Sequence, residues 1–402
     1  MEKYTVIIPT RDRIETLGAT LRTCLRQTYN NFEIIVCDNY SSDGTRSLVE
    51  SFSDSRIRYI NPGRRLSMSS NFEFALGHVT EGFAMFIGAD DGIMPNAIEY
   101  VNSIVNKYQV EAVSCRQATY IWPNFPDKNI AGRFIFGGWR DDIEVRNSSK
   151  WINKALNFTG NYCFDLPNLY CGFVHKRVID KAYKNGVYFK SMTPDAYSAF
   201  ATAIFIDKYA FSNKPFSIAG ASAKSNGAAS MNASSSTEEV TNFYSESDIP
   251  FHDNFIVCPS YEIIAAEAFY QLSQNFPKEC AAYQINYKAM LTRALRRVNV
   301  KTENEVNDAV ARMAVRFNVD IERKMSILNK FSNLRWDDLL HAMSALISQG
   351  RFSVILNSTD FAIQNIDDAA LIAYALEQCR GSSSLQTNKK YIIQLISQRL
   401  RF

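Results

Sequence analysis

Asp38 and the pair Asp90-Asp91 are the residues of this 402-residue chain whose types and spacing point most directly to chemistry. Each follows a short apolar run, 34–37 or 84–87, of the kind that forms a buried strand, so each carboxylate stands at a strand's carboxyl end. Two adjacent carboxylates followed by Gly92, whose backbone turns freely, suit a hard divalent cation held by oxygen ligands. Magnesium or manganese bound there would bridge the diphosphate of a nucleotide and neutralise its charge as it leaves. Such a tripeptide is also an ordinary surface turn, and the residues alone leave both readings open. His252, in Pro250-Phe251-His252-Asp253-Asn254, suits a further metal or diphosphate ligand, or a plain surface histidine.

The elements that must hold these groups follow from periodicity. Apolar runs at 6–8, 34–37, 57–60, 84–87 and 112–115 predict strands, several nearly continuous in apolar character, as parallel strands buried on both faces are. Between them, Ile14, Leu17, Leu21 and Leu25 share one helical face. Leu48, Val49 and Phe52 begin another helix after a polar turn in which Ser42 or Asp43 can cap. The βαβ rhythm predicts a doubly wound parallel sheet with its ligand crevice at the strands' carboxyl ends. Residues 116–160 read as mostly loop with short strands, and helices are expected near 176–183 and 196–209. The Ala-, Ser-, Gly- and Asn-rich stretch within 219–250 reads as a flexible loop, either a linker or a lid. From 259 onward the pattern is helix after helix with no convincing strand; one helix opens on Thr302-x-x-Glu305 and lines up Val306, Val310, Met313 and Phe317. Two domains are therefore expected, an α/β domain over 1–258 and an all-helical one over 259–402.

Composition removes several classes. A net charge of +3 gives no whole-chain basic field, so no nucleic-acid partner is expected. Eight scattered cysteines without a Cys-x-x-Cys pair read as reduced and structural. The N-terminus lacks a signal-peptide core and no apolar stretch is long enough to span a bilayer, so a cytoplasmic location is expected. The last stretch, 388–402, sets Ile392, Leu395, Ile396 and Leu400 among Lys389, Lys390, Arg399 and Arg401. This basic amphipathic end suits peripheral contact with an anionic membrane at the inner face of the cell, or packing on the bundle or a second copy as a homo-oligomer.

Three segments in order carry a resemblance: Val6-Ile7-Ile8-Pro9-Thr10-Arg11-Asp12-Arg13, then Glu33 to Thr45 with Asp38-Asn39-Tyr40-Ser41-Ser42-Asp43-Gly44-Thr45, then Phe86-Ile87-Gly88-Ala89-Asp90-Asp91. Together they resemble the inverting family 2 glycosyltransferases of GT-A fold, over roughly residues 3–225, and bacterial surface-polysaccharide enzymes in particular. The resemblance implies transfer of a sugar from a nucleotide-diphosphate donor, UDP-linked by expectation, to a hydroxyl of a saccharide or lipid-linked saccharide, with Mn2+ or Mg2+ as cofactor. It implies that Pro9, Thr10 and Arg11 line the nucleotide pocket and that Asp38 accepts from the base edge. Arg64 or Arg65 would lie near base or phosphate, Asn71 would match the following helix, Asp90 would contact the donor sugar or ribose, and Asp91 would bind the metal. Asp195, in Thr193-Pro194-Asp195, would be the general base that takes the acceptor proton, a role compatible with a helix start. Lys224 would approach phosphate from a donor-closing loop. The chain departs from the pattern at Gly88 and Pro194, where the family carries acidic residues.

Two other readings compete. A nucleotidyltransferase can share this sheet, but usually opens with a glycine-rich phosphate loop, and Pro9–Arg13 contains no glycine. A sugar-nucleotide-binding or scaffolding protein without catalysis is suggested by Gly88 and Pro194. Facing carboxylates at Asp195 and Asp91 would speak against it.

Overall fold

The computed structural model describes residues 1–137, 142–225, 245–298, 302–321, 353–357 and 363–378. Its centre is an eight-stranded mixed sheet. The strand order is β3 (Ile57–Ile60), β2 (Phe32–Asp38), β1 (Tyr4–Thr10), β4 (Phe83–Phe86), β10 (Phe173–His175), β6 (Ala112–Cys115), β11 (Lys208–Ser212) and β9 (Ile143–Asn147). Strands β1 to β4 are mutually parallel where they pair. β10 runs antiparallel between β4 and β6, and β9 closes the edge antiparallel to β11. All five strands expected from the apolar runs are present.

Alternation along each strand divides the core into two layers. Val6, Ile8, Ile34, Val36 and Met85 face α1 (Ile14–Leu25), α2 (Thr45–Ser51) and α4 (Ala97–Tyr108). Ile7, Ile35, Cys37 and Phe86 face α3 (Met68–Leu76), α5 (Ser148–Leu156), α6 (Lys176–Lys181) and α7 (Pro194–Ile204). The crevice is left at the carboxyl ends of β1, β2 and β4, where strand order reverses around β1.

Beyond residue 259 the described residues are mainly helical, with α8 (Tyr261–Asn275), α9 (Pro277–Cys280), α10 (Tyr287–Arg296), α11 (Glu303–Arg316) and α12 (Ile366–Gln378). Val306, Val310 and Met313 pack against α8 and α10, as their spacing predicts. α8 is shared: Ile263 and Ala266 serve this helical core, while Ala268, Phe269 and Leu272 pack on the sheet layer beneath α7. α12 returns to the first sheet layer, burying Ile366, Ala370, Ile372 and Ala373 there, and Asp367 receives Arg26 Nε at 2.6 Å and Nη2 at 2.9 Å.

Three local expectations are corrected. A strand does occur after 259: β13 (Ser353–Asn357) pairs antiparallel with β8 (Arg133–Gly137) in a second sheet, ordered β13, β8, β7 (Ala118–Ile121), β12 (Ser217–Ala221) and β5 (Gly92–Ile93). Residues 116–160 hold the expected short strands, three of them, but also α5, whose Ile152, Ala155 and Leu156 form a buried stripe after an Asn147 cap that accepts from Lys150 N. Residues 219–221 belong to β12, where small side chains allow close packing. The stretch 226–244 and the basic end 388–402 lie outside the described residues. Among the described residues no helix is long and apolar enough to cross a membrane.

Candidate active site

β1 and β2 run in register so that Thr10 stands opposite Asp38, and both side chains arrive at the crevice floor together. Their following loops are stitched to each other. Asp12 Oδ1 accepts from Ser42 N at 2.8 Å, Ser41 Oγ accepts from Asp12 N at 2.8 Å, and Asp43 Oδ2 accepts from Ile14 N at 2.9 Å. Asp43 also receives the Thr45 amide and hydroxyl, so it caps the start of α2 as expected; Gly44 supplies the left-handed turn at φ 87°.

Asp38 is buried at 1% exposure. It accepts from Tyr59 Oη at 2.5 Å and from Ser41 N at 3.0 Å, which fixes the carboxylate's orientation. Beside it Thr10 Oγ1 is buried and finds no partner among the described residues, an orphan hydroxyl at the strand end where a ligand would complete it. Pro9 sits one residue back, paired with Cys37. Arg11 and Arg65 converge on one carboxylate from far along the chain: Glu246 accepts from Arg11 Nη1 at 2.8 Å and from Arg65 Nη2. Two residues on, Asp248 accepts from the hydroxyls of Ser67 and Ser70 at the start of α3. Arg64 is exposed. Asn71 lies a layer deeper, its Oδ1 accepting from Cys37 Sγ at 3.2 Å, so it supports the floor under Asp38 and does not face the crevice.

The turn after β4 carries Asp90 and Asp91, and the two carboxylates have different surroundings. Asp91 points inward. Its Oδ2 accepts from Tyr170 Oη at 2.5 Å and Gly88 N at 2.7 Å, and its Oδ1 from Gly220 N at 2.7 Å. Burial, and next the Asp90 charge, push its carboxyl pKa up, and burial drives Tyr170 well up as well. Both Asp91 oxygens accept from protein donors, so the carboxylate braces the turn. Gly88 is required by the same packing: a Cβ there would stand 2.9 Å from Tyr170 Oη and 3.0 Å from carboxylate oxygens of Asp90 and Asp91.

Asp90 faces the second sheet's loop. Its Oδ2 accepts from Ser222 Oγ at 2.6 Å and from Ser225 Oγ, with Arg13 Nη1 at 3.7 Å. Lys224, between those serines, donates to the Asp12 carbonyl at 2.9 Å and so ties this loop across the crevice mouth to β1's loop. His252 is not part of this set. Its Nδ1 accepts from Asn254 N at 3.1 Å, and its ring lies 4.5 Å from that of Tyr270 on α8. Among the described residues no three His, Cys, Asp or Glu side chains form a metal cluster. One hard carboxylate, Asp90, fits a cation of the magnesium or manganese class that takes its other oxygens from diphosphate and water.

Asp195 occupies the first turn of α7, after Pro194 at a position where proline is tolerated. It is half-buried, and burial raises its pKa. A hydrogen-bonded path links this turn to the Asp91 brace: Ser198 Oγ donates to Asn168 Oδ1 at 2.8 Å, Tyr170 N donates to the same oxygen at 2.8 Å, and Tyr170 Oη reaches Asp91. Arg13, Tyr59, Tyr170, Ser222, Ser225, Glu246 and Asp248 are site residues that the sequence does not announce. Arg13 and the serines at least sit within the motif loops, whereas Tyr170 and Glu246 arrive from strands and loops about eighty and more than two hundred positions away from their partners.

Residues 5–164 match the family model described as Glycosyl transferase family 2. Over 140 residues the chain is 29% identical to the UDP-Glc:alpha-D-GlcNAc-diphosphoundecaprenol beta-1,3-glucosyltransferase WfgD of Escherichia coli, covering 34% of this chain and 52% of that protein. It is 30% identical over 110 residues to the GalNAc(5)-diNAcBac-PP-undecaprenol beta-1,3-glucosyltransferase of Campylobacter jejuni, covering 27% of this chain and 36% of that protein. The chain thus spans about half the length of the first and about a third of the second. Among solved structures, S. aureus TarS 1–349 in complex with UDP-GlcNAc aligns with a TM-score of 0.46 and 14% identity, over 78% of this chain and 89% of that one. Residues 5–164 thus carry the similarity to glycosyl transferase family 2, and they include the strands β1, β2 and β4 of the mixed sheet that frame the crevice.

Proposed function

We propose that this protein is an inverting glycosyltransferase. It moves a sugar from a nucleotide-diphosphate donor, UDP-linked in our reading, to a hydroxyl of a lipid-linked saccharide in bacterial surface-polysaccharide synthesis. The observation that carries the reading is the set of groups gathered at the ends of β1, β2 and β4: the fixed Asp38 carboxylate, the orphan Thr10 hydroxyl, Arg11 and Arg65 on Glu246, and Asp90 in the turn after β4. The relatives named above act on sugars carried by diphosphoundecaprenol or PP-undecaprenol, which supports an acceptor of that chemistry here.

In this reading Asp38 accepts from an N–H on the base edge, and Thr10 pairs with the nucleoside beside it. Arg11 and Arg65 turn from Glu246 to the donor's negative charge, as guanidinium groups suit phosphate oxygens. Ser222 and Ser225 hold Asp90 in place, and Lys224 closes the loop over the donor. Asp90 would hold a divalent cation, which would supply charge neutralisation on the leaving diphosphate. The acceptor oxygen attacks the anomeric carbon from the face opposite the diphosphate. The new C–O bond forms as the sugar–phosphate bond breaks, and Asp195 takes the acceptor's proton. Burial keeps Asp195 more basic than an exposed aspartate, which favours that transfer near neutral pH.

The test is a thermal-shift panel of UDP-, GDP- and dTDP-sugars with and without manganese, followed by transfer to a diphosphoundecaprenol-linked sugar. A shift with one nucleotide that grows with manganese, and product of inverted configuration, are expected. No shift with any donor would defeat the reading.

A further inference from the structure

Glu267 lies on α8, in the helical region, yet its carboxylate serves the catalytic domain. It is fully buried at 0% exposure. Its Oε2 accepts from Ser191 Oγ at 2.9 Å, and its Oε1 accepts from the His252 amide at 3.1 Å and from Gln271 Nε2 at 2.9 Å. Ser191 passes this contact on. Its hydroxyl lies 3.3 Å from Thr193 Oγ1 and accepts from Thr193 N at 3.4 Å, while its carbonyl accepts from Ser69 Oγ on α3 at 2.8 Å. Thr193 is the residue from which α7 starts, and Asp195 follows in the first turn.

A buried carboxylate is a costly way to pack two helices. Burial raises the pKa of Glu267, and an apolar side chain of similar volume would fill the place without desolvating a charge. Ile263, Ala268 and Leu272 of the same helix are buried near it, and Gln271 is its polar partner on that helix. What an apolar residue cannot do is fix the direction of the Ser191 hydroxyl and hold the 191–193 turn at a set distance from α8.

We infer that Glu267 is a positioning residue for Asp195: through Ser191 it sets the turn that starts α7 and so aims the base at the acceptor. This rests on the reading of Asp195 as general base. The same carboxylate also holds the His252 amide, which fixes Oε1 while Oε2 holds Ser191.

The test uses the full chain with UDP-glucose as probe and follows UDP release and donor affinity for Glu267→Gln, Glu267→Leu, Ser191→Ala and Asp195→Asn. Ser191→Ala removes one hydroxyl and serves where Glu267→Leu does not fold. The expected result is a fall in kcat of tenfold or more for Glu267→Leu and Ser191→Ala, a smaller fall for Glu267→Gln, and donor KM and Kd within about twofold of the parent. The acid limb of the kcat profile should also move in these variants, which a change in folded fraction alone would not produce. An unchanged kcat in both Ser191→Ala and Glu267→Gln, with Asp195→Asn inactive, overturns the positioning role while leaving the base in place. Equal losses in kcat and donor binding overturn it as well, because they report only general destabilisation. If Asp195→Asn keeps its rate, the general-base reading itself fails, and this inference fails with it.

Discussion

Gly220→Ala is the sharpest perturbation of the Asp90–Asp91 turn, because it acts from another strand and leaves both aspartates in place. A Cβ on Gly220 would stand 1.7 Å from the Asp90 carbonyl oxygen and 2.5 Å from its carbon. Both are backbone atoms that no rotamer change can move aside. Restoring ordinary contact, roughly 3.5 Å, requires β12 and the turn to separate by more than an ångström. That separation breaks the Gly220 N–Asp91 Oδ1 bond of 2.7 Å and disturbs the bond from Trp122 Nε1 to the Asp90 carbonyl, 2.9 Å. A hydrogen bond to a charged group contributes about 1.5–3 kcal/mol, and a buried oxygen left without its donor costs a similar amount again. The expected loss is therefore about 3–5 kcal/mol, a large part of the 5–15 kcal/mol typical of a folded protein. Urea unfolding measures it, with Gly18→Ala as the control: that Cβ, on α1, meets Leu48 at an ordinary 3.7 Å, so helix propensity alone should make the change neutral or stabilising by up to about 1 kcal/mol. Any folded Gly220→Ala protein should also lose donor binding, since Asp90 moves with the turn. A midpoint within error of the parent, together with unchanged donor affinity, would show that β12 does not press on this turn and would refute the assignment of Asp91 as a brace.

Gly88→Asp, which recreates the family's acidic residue, is expected to weaken the site: its Cβ falls between three oxygens at 2.9–3.0 Å, and urea unfolding should show a loss of about 2–4 kcal/mol with no gain in manganese affinity. Glu246→Gln frees Arg11 and Arg65 from an ion pair that is partly exposed and worth at most about 1 kcal/mol, so titration calorimetry should find UDP bound up to about fivefold more tightly; weaker binding would make Glu246 an organiser of the pocket and not a competitor for it. For Asp195 the raised pKa sets the sign: the base works only when deprotonated, so kcat should fall as pH drops through a midpoint above that of an exposed aspartate, and Asp195→Asn should cost about 10²–10⁴ in kcat at neutral pH, read by UDP release. Asp367→Asn should loosen α12 from α1 by about 1–3 kcal/mol through the weakened Arg26 fork, measured as a shift in denaturant midpoint.

The parallel strands could be read from the chain because they are buried on both faces, and that environment demands continuous apolar runs such as 34–37. Asp38 and Asp90 could be read for a related reason: a carboxylate at the end of such a run, or in the turn just after it, stands at the strand's carboxyl end. The partners that decide what each carboxylate does were out of reach. Tyr170 braces Asp91 from about eighty residues away, Ser222 and Ser225 take Asp90 across the gap between two sheets, and β13 joins the second sheet by pairing with β8 over more than two hundred positions. Periodicity reports which face of an element is buried, and says nothing about which distant element buries it. The 219–221 stretch misleads by composition: Ala, Gly and Ala look like a flexible loop, yet the small side chains are what let β12 approach the Asp90 backbone.

The division of labour between Asp90 and Asp91 explains the departure at Gly88. In a site where two acidic residues both faced the crevice, losing a third would remove a ligand and weaken the chemistry. Here Asp91 is turned inward and held by Tyr170, Gly88 N and Gly220 N, and the turn is shaped by that internal bonding. Gly88 is then the residue whose amide can donate to Asp91 and whose missing side chain leaves room for Tyr170 Oη to do the same. The absence of an acid at position 88 is thus a packing requirement of the brace. Asp90, oriented by two serine hydroxyls and approached by Arg13, is then the carboxylate that meets the donor in the proposed function.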